Sequence, residues 1–150
     1  MRHELHSEID IPAPPDEVWR QLVDFPGYAG WNPFITSATG SAQVGDGLRL
    51  RMQPPGGRGT TFRPRVTAVS SGRALEWLGS LGVRGIFDGR HRFELAPTAS
   101  GTHLTQQETF TGLLVRPLRG SLDRGTRAGF EAMNAALRAR VLETQAAGTA

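Results

Sequence analysis

Phe87-Asp88-Gly89-Arg90-His91-Arg92-Phe93-Glu94-Leu95-Ala96, a break from Pro97 to Gly101, then Thr102-His103-Leu104-Thr105-Gln106-Gln107-Glu108-Thr109-Phe110: two runs alternate with period two around a turn. Phe87, Gly89, His91, Phe93 and Leu95 share one phase of the first run, opposite Arg90, Arg92 and Glu94. Leu104, Gln106, Glu108 and Phe110 share the apolar phase of the second. Such alternation marks half-buried strands, and a short break with Pro and Gly marks a hairpin. Both apolar phases must then lie on one face, because a one-residue slip turns every side chain to the other. Two registers satisfy this. One sets His91 opposite Glu108 and Phe93 opposite Gln106; the other, slipped by two, sets His91 opposite Gln106. In both, His91 and Glu108 are direct or diagonal neighbours, about 5–8 Å apart at Cβ.

Outward from the hairpin the pattern repeats. Further strands are expected at 4–11, 34–41, 47–53, 60–70 and 73–81, with the hairpin at 86–96 and 102–110, separated by Gly- and Pro-rich turns. Short connections of this kind make an antiparallel meander. Pro64 inside the 60–70 run predicts an edge position or a bulge, since proline lacks the ladder N–H. Pro12-Ala13-Pro14-Pro15 ends the first strand, and Asp16-Glu17 opens a short helix through Val23. After Gly112 the period changes: Leu122, Phe130, Met133, Leu137 and Val141 predict one amphipathic helix over about 119–145. Residues 146–150 read as a frayed tail, and 1–150 as a single domain.

These elements predict an α+β chain, a curved seven-stranded antiparallel sheet around a long C-terminal helix, with short helices between strands 1 and 2. Four of the eleven aromatic residues, Phe25, Tyr28, Trp31 and Phe34, stand in the connection before strand 2. Two Pro and two Gly there exclude a long helix. Phe25 and Tyr28 are expected to pack structurally, Trp31 and Phe34 to face a ligand. Asn32 precedes Pro33 and is biased to extended backbone, which turns the chain after Trp31.

Cysteine is absent, which excludes disulfides and thiolate chemistry. The first residues hold no apolar leader and no run is long enough for a transmembrane helix, so a soluble cytoplasmic protein is expected. All cations are arginine, consistent with the codon bias of a high-GC genome, and the net charge is +3. The arginines are dispersed, so no nucleic-acid partner is expected. Arg49, Arg51, Arg63 and Arg65 would share the outer sheet face, either as a solvated surface or towards an acidic partner or anionic membrane.

The segments Asp24-Phe25, Tyr28, Trp31-Asn32-Pro33-Phe34-Ile35, Leu75-Glu76-Trp77, Gly89-Arg90-His91-Arg92-Phe93-Glu94-Leu95 and Glu108-Thr109-Phe110-Thr111-Gly112-Leu113-Leu114 carry a resemblance in their order and spacing. The chain resembles the polyketide cyclase/dehydratase and lipid-transport branch of the START-like (SRPBCC) superfamily over roughly residues 5–145. The resemblance implies a helix-grip fold with a deep hydrophobic cavity between sheet and C-terminal helix. It implies no single activity, because that superfamily includes carriers, cyclases and receptors.

Phase and resemblance together nominate ligand-contacting residues: Trp31, Phe34, Leu50, Met52, Phe62 and Trp77, then His91, Phe93, Gln106 and Glu108, then Phe130, Met133 and Asn134 from the helix. A buried Asn134 amide must find a partner, either a ligand or the backbone. Three functions stay open. The first is a module binding a lipid, polyketide or aromatic molecule. The second is a cyclase, aromatase or dehydratase in which His91 and Glu108 are catalytic and move protons. The third is an interaction protein with a filled interior. No cofactor is expected, and no metal, because His3 and His6, like His91 and His103, fall in opposite phases. A monomer or homodimer is expected.

Overall fold

The computed structural model describes residues 1–148. β1 (Arg2–Ile11) buries Leu5, Ser7 and Ile11 from alternate positions and turns charged residues outward. Pro12 to Pro14 break it, and α1 (Pro15–Val23) starts with proline in its first turn, where a missing N–H costs nothing. Val18 and Leu22 are its buried residues. A single 3₁₀ segment, Phe25–Gly30, follows, opened by the Asp24 carboxylate accepting from the Gly27 N–H at 3.3 Å. Asn32 Oδ1 then accepts from the N–H groups of Phe34 (3.0 Å) and Ile35 (2.8 Å), which reverses the chain into β2 (Ile35–Thr39).

β3 (Arg49–Met52) and β4 (Thr60–Phe62) pair with β2 in the order β2-β3-β4. β5 (Arg65–Ser70), β6 (Ala74–Ser80), β7 (Asp88–Thr98) and β8 (Gly101–Thr111) form the second sheet with β1, in the order β1-β8-β7-β6-β5. This corrects the expected single seven-stranded sheet. The run read as one strand over 60–70 is broken at Arg63-Pro64, where proline has no N–H to continue a ladder. The chain crosses from one sheet to the other there. The sheets meet through the Gly47–Arg65 bridge and the Leu48 N–H to Pro64 carbonyl bond of 2.8 Å. Arg49, Arg51, Arg63 and Arg65 are all exposed, but Arg65 belongs to the five-stranded sheet and donates to the Gly45 carbonyl.

The C-terminal helix is also subdivided. α2 (Val115–Ser121) is followed by a π turn at Leu122–Thr126 and by α3 (Arg127–Gly148). Of the residues read as a tail, 146–148 continue α3; 149 and 150 lie outside the described residues. Gly112 makes the exit from β8 possible. Its φ is +122°, and a Cβ there would lie 2.4 Å from the Ile86 carbonyl oxygen. α3 lays Phe130, Met133, Asn134, Leu137 and Val141 against the concave sheet face, and with Leu5, Leu75, Phe93 and Leu104 they build the core. Among the described residues no helix is long and apolar enough to cross a membrane.

Candidate functional site

The hairpin register is the first of the two expected: His91 lies opposite Glu108 and Phe93 opposite Gln106. Both pairs therefore face inward, under the helix. His91 Nδ1 and Glu108 Oε2 are 2.8 Å apart. A carboxylate accepts and does not donate, so the Nδ1–H of His91 donates to Oε2. Trp77, the β6 residue opposite His91, stacks on the imidazole with ring centres 5.0 Å apart and planes 17° apart. Phe130 meets it edge-on at 5.0 Å, and Phe93 lies at 4.6 Å. His91 is wholly buried and its Nε2 has no partner among the described residues.

The second oxygen of Glu108 has a different setting. It lies over Gly89, where an added Cβ would fall 2.5 Å from Oε1. Glycine at 89 therefore gives the carboxylate its room. Glu108 and Gly89 both line a cavity of about 140 Å³, partly open to solvent, where the two sheets part beside the π turn. Phe34, Leu50, Met52, Phe62, Trp77, Phe87 and Phe110 give it apolar walls. Leu122 and Thr126 of the π turn close one side, and Pro54 and Arg58 of the β3–β4 connection close another. Glu108 is the one carboxylate in the lining.

The structure divides the nominated residues into three groups. Phe34, Leu50, Met52, Phe62, Trp77 and Glu108 line the cavity. His91, Phe93 and Phe130 form the layer behind it; the His91 ring meets those of Phe93, Phe130 and Trp77, and Phe93 also meets Trp77. Gln106, Asn134 and Met133 pack deeper, where Gln106 Nε2 donates to Asn134 Oδ1 (2.8 Å) and Asn134 Nδ2 to Ser7 Oγ (3.0 Å). Asn134 thus finds its partners within the protein. The volume directly between β7–β8 and α3 is filled, and the cavity lies at the end of the sheets. Trp31 stands apart. Its ring packs edge-on against Tyr28 at 5.1 Å, and its buried Nε1 has no partner among the described residues.

Several lining residues are not among those nominated from the sequence. Phe87 and Phe110 share the phases of His91 and Glu108, so alternation carried that signal. Leu122 and Thr126 precede Phe130 at spacings of four; Leu122 stood in the predicted apolar stripe, and what the period does not encode is the π turn that carries both residues at the cavity. Asp123 in that turn accepts from His3 Nε2 at 2.7 Å, which ties it to β1. Away from the cavity, Phe25 and Tyr28 are fully buried, and the Tyr28 hydroxyl donates to the Leu22 carbonyl. Burial, and then the nearby Asp24 charge, push that phenol well above its ordinary value, so it serves as a fixed hydrogen-bond donor. Among the described residues, no three His, Asp or Glu side chains converge as metal ligands.

An antiparallel sheet wrapped on a C-terminal helix, with an apolar cavity where the strands part, defines the START-like class of α+β proteins. The chain belongs to the polyketide cyclase/dehydrase and lipid transport family, whose model matches residues 2–142. No curated protein matches it in sequence. Its fold is similar to that of the aromatase/cyclase ZhuI from Streptomyces sp. R1128, with a TM-score of 0.76 at 18% identity over 94% of each chain. Protein MLL2253 from Mesorhizobium loti is similar with a TM-score of 0.72 at 20% identity, over 95% of this chain and 98% of that one. The chain spans about half of DynU16, a putative protein of the dynemicin biosynthetic locus, with 25% identity and a TM-score of 0.70 over 95% of this chain and 48% of the other.

Proposed function

We propose that this protein binds an apolar, ring-bearing small molecule of the polyketide or aromatic type in the cavity beside the π turn. Glu108 Oε1 would accept a hydrogen bond from the ligand's hydroxyl or enol. The observation that carries this reading is an apolar cavity lined by one carboxylate, that of Glu108, one oxygen of which is held by a buried histidine while the other lies over Gly89, itself a lining residue. Family membership and the similarity to an aromatase/cyclase fold support it. At about 140 Å³ the cavity accommodates a single ring, since roughly 150 Å³ takes benzene. Drug-sized ligands occupy about 300–1,000 Å³. A multi-ring ligand would therefore displace the π turn or the β3–β4 connection.

A second reading, proton transfer, is favoured by the same free oxygen. Glu108 would take a proton from an acidic C–H or hydroxyl, a step worth about 10²–10⁴ in rate for a well-placed base. His91 would be a positioning residue, because it reaches the cavity only through Glu108.

Native mass spectrometry of freshly purified protein, followed by titration of the extracted molecule or a graded series of aromatic phenols against tryptophan fluorescence, tests the binding reading. Glu108→Gln and Gly89→Ala should each weaken binding about tenfold or more, as loss of a hydrogen bond to a charged group does. Unchanged affinity in both variants, or an empty cavity that takes no member of the series, would sink it. With a substrate in hand, Glu108→Gln lowering kcat at unchanged KM supports catalysis, and unaltered turnover removes it.

A further inference from the structure

Six large apolar side chains stand in solvent on two adjoining segments. Leu81, Val83 and Ile86 lie between β6 and β7, Leu113 and Leu114 between β8 and α2, and Leu118 in α2. Val83 is 72% exposed and Leu113 79%. The segments are held together by the Leu114 N–H to Ile86 carbonyl bond at 2.9 Å and the Leu113 N–H to Gly85 carbonyl bond at 3.3 Å. The apolar residues therefore gather at one end of the molecule. Leu81 is common to this surface and the cavity lining, and Phe87 and Leu122, which each follow one of the two segments, also line the cavity, so the surface borders it.

The charge on these segments is of one sign. Residues 81–87 and 112–122 hold Arg84, Arg116 and Arg119 and no Asp or Glu. Among the described residues, Arg84 and Arg116 make no ion pair, and Arg119 makes only a loose one with Asp123 at 3.9 Å. An exposed apolar patch rimmed by arginines, two of them without an ion pair among the described residues, marks a contact surface. We propose that this end of the protein docks on an anionic lipid bilayer. The leucines, Val83 and Ile86 enter the headgroup boundary, and the three guanidinium groups meet lipid phosphates and carboxylates. The cavity mouth then opens at the membrane surface, where an apolar ligand exchanges without crossing water. A second copy of the chain fits this face poorly. Two-fold pairing of one patch on itself brings each cluster of arginines towards its equivalent, with only Asp88 and Asp123 at the segment ends, the first engaged by the Gly85 N–H and the second by Arg119, to offset it.

Co-sedimentation of the full chain with large vesicles tests this, using phosphatidylcholine alone or mixed with phosphatidylserine, at low and high salt. Binding is expected with the phosphatidylserine vesicles, falling with salt as screening increases. Arg116→Gln should lower the partition coefficient about fivefold, the effect of one cation near an anionic surface. Leu113→Asp should abolish binding. Leu113 is exposed, so that variant keeps its fold, which an unchanged thermal melt verifies. No binding to anionic vesicles, or binding that survives Leu113→Asp, overturns the proposal. A dimer in sedimentation equilibrium that Leu113→Asp dissolves overturns it in favour of a second copy. Retention on an immobilised acidic protein, dependent on Leu113 and without vesicle binding, overturns it in favour of a protein partner.

Discussion

Glu108 shows how one side chain is shared between fold and site. Oε2 is committed to His91, whose ring is fixed by Trp77, Phe93 and Phe130. Oε1 is kept clear by the absence of a side chain at Gly89. The pairing was legible in the sequence because strand phase and hairpin closure permit only registers that bring the two residues together. The setting of Trp31 was not, since an irregular connection has no phase from which to read a side chain's direction. A second glycine gives a stability prediction. Where α3 passes Phe34, a Cβ on Gly129 would lie 2.3 Å from ring Cδ1. Gly129→Ala must therefore shift Phe34, an overpacking that costs about 1–3 kcal/mol. The expected result is a lower urea midpoint with an unchanged slope, and a midpoint equal to wild type would show that the ring yields without cost.

Pairing of β1 with β8 sets the outer face as firmly as the inner one. Asp10 lies opposite His103, and the His103 ring bonds Asp10 at 2.7 Å through Nδ1 and Glu8 at 3.3 Å through Nε2. The bond to Asp10, with that to Glu8 and against slight burial, holds His103 above its ordinary 6.5. Bonds from His6 and His103 hold Glu8 below its ordinary 4.5. The raised imidazole stabilises the fold below 6.5, and its contribution is lost as pH rises through the higher folded value. The lowered carboxylate stabilises above 4.5 and loses its contribution as pH falls through the folded value. The two overlap in mildly acidic solution. His103→Gln should therefore lower the urea midpoint most between those values and have no effect in alkaline buffer; a pH-independent difference would refute the pairing. Elsewhere the elements depart from regular periodicity at single residues. Pro64 was legible as an irregularity but not as the crossing between sheets, because a missing N–H says where pairing stops and not which strand takes over. The π turn left no mark in the apolar pattern, since it adds one residue between two segments that are each regular.

At the scale of the molecule, pairing is dense at the centre and sparse at the cavity end. β7 and β8 each have a strand on both sides, whereas β4 is a three-residue edge strand and α2 buries only Val115. Hydrogen exchange should accordingly be slowest in β7 and β8 and fastest in residues 53–59 and 113–121, and a bound ligand should slow residues 122–126. Slow exchange throughout 113–126 without ligand would count against a cavity that widens there. The sequence by itself determined the α+β class, the order of elements, the inward faces of the strands and helix, and the meeting of His91 with Glu108. Those follow from the periods of two and 3.6 and from where Pro and Gly interrupt them. Only the tertiary structure decided that there are two sheets, that Gln106 donates to Asn134 and Asn134 to Ser7, and that the open space lies beside the π turn and not beneath α3. Whether an inward side chain meets a neighbour or a void depends on volumes contributed by segments far apart in the chain, and close packing has no local signature.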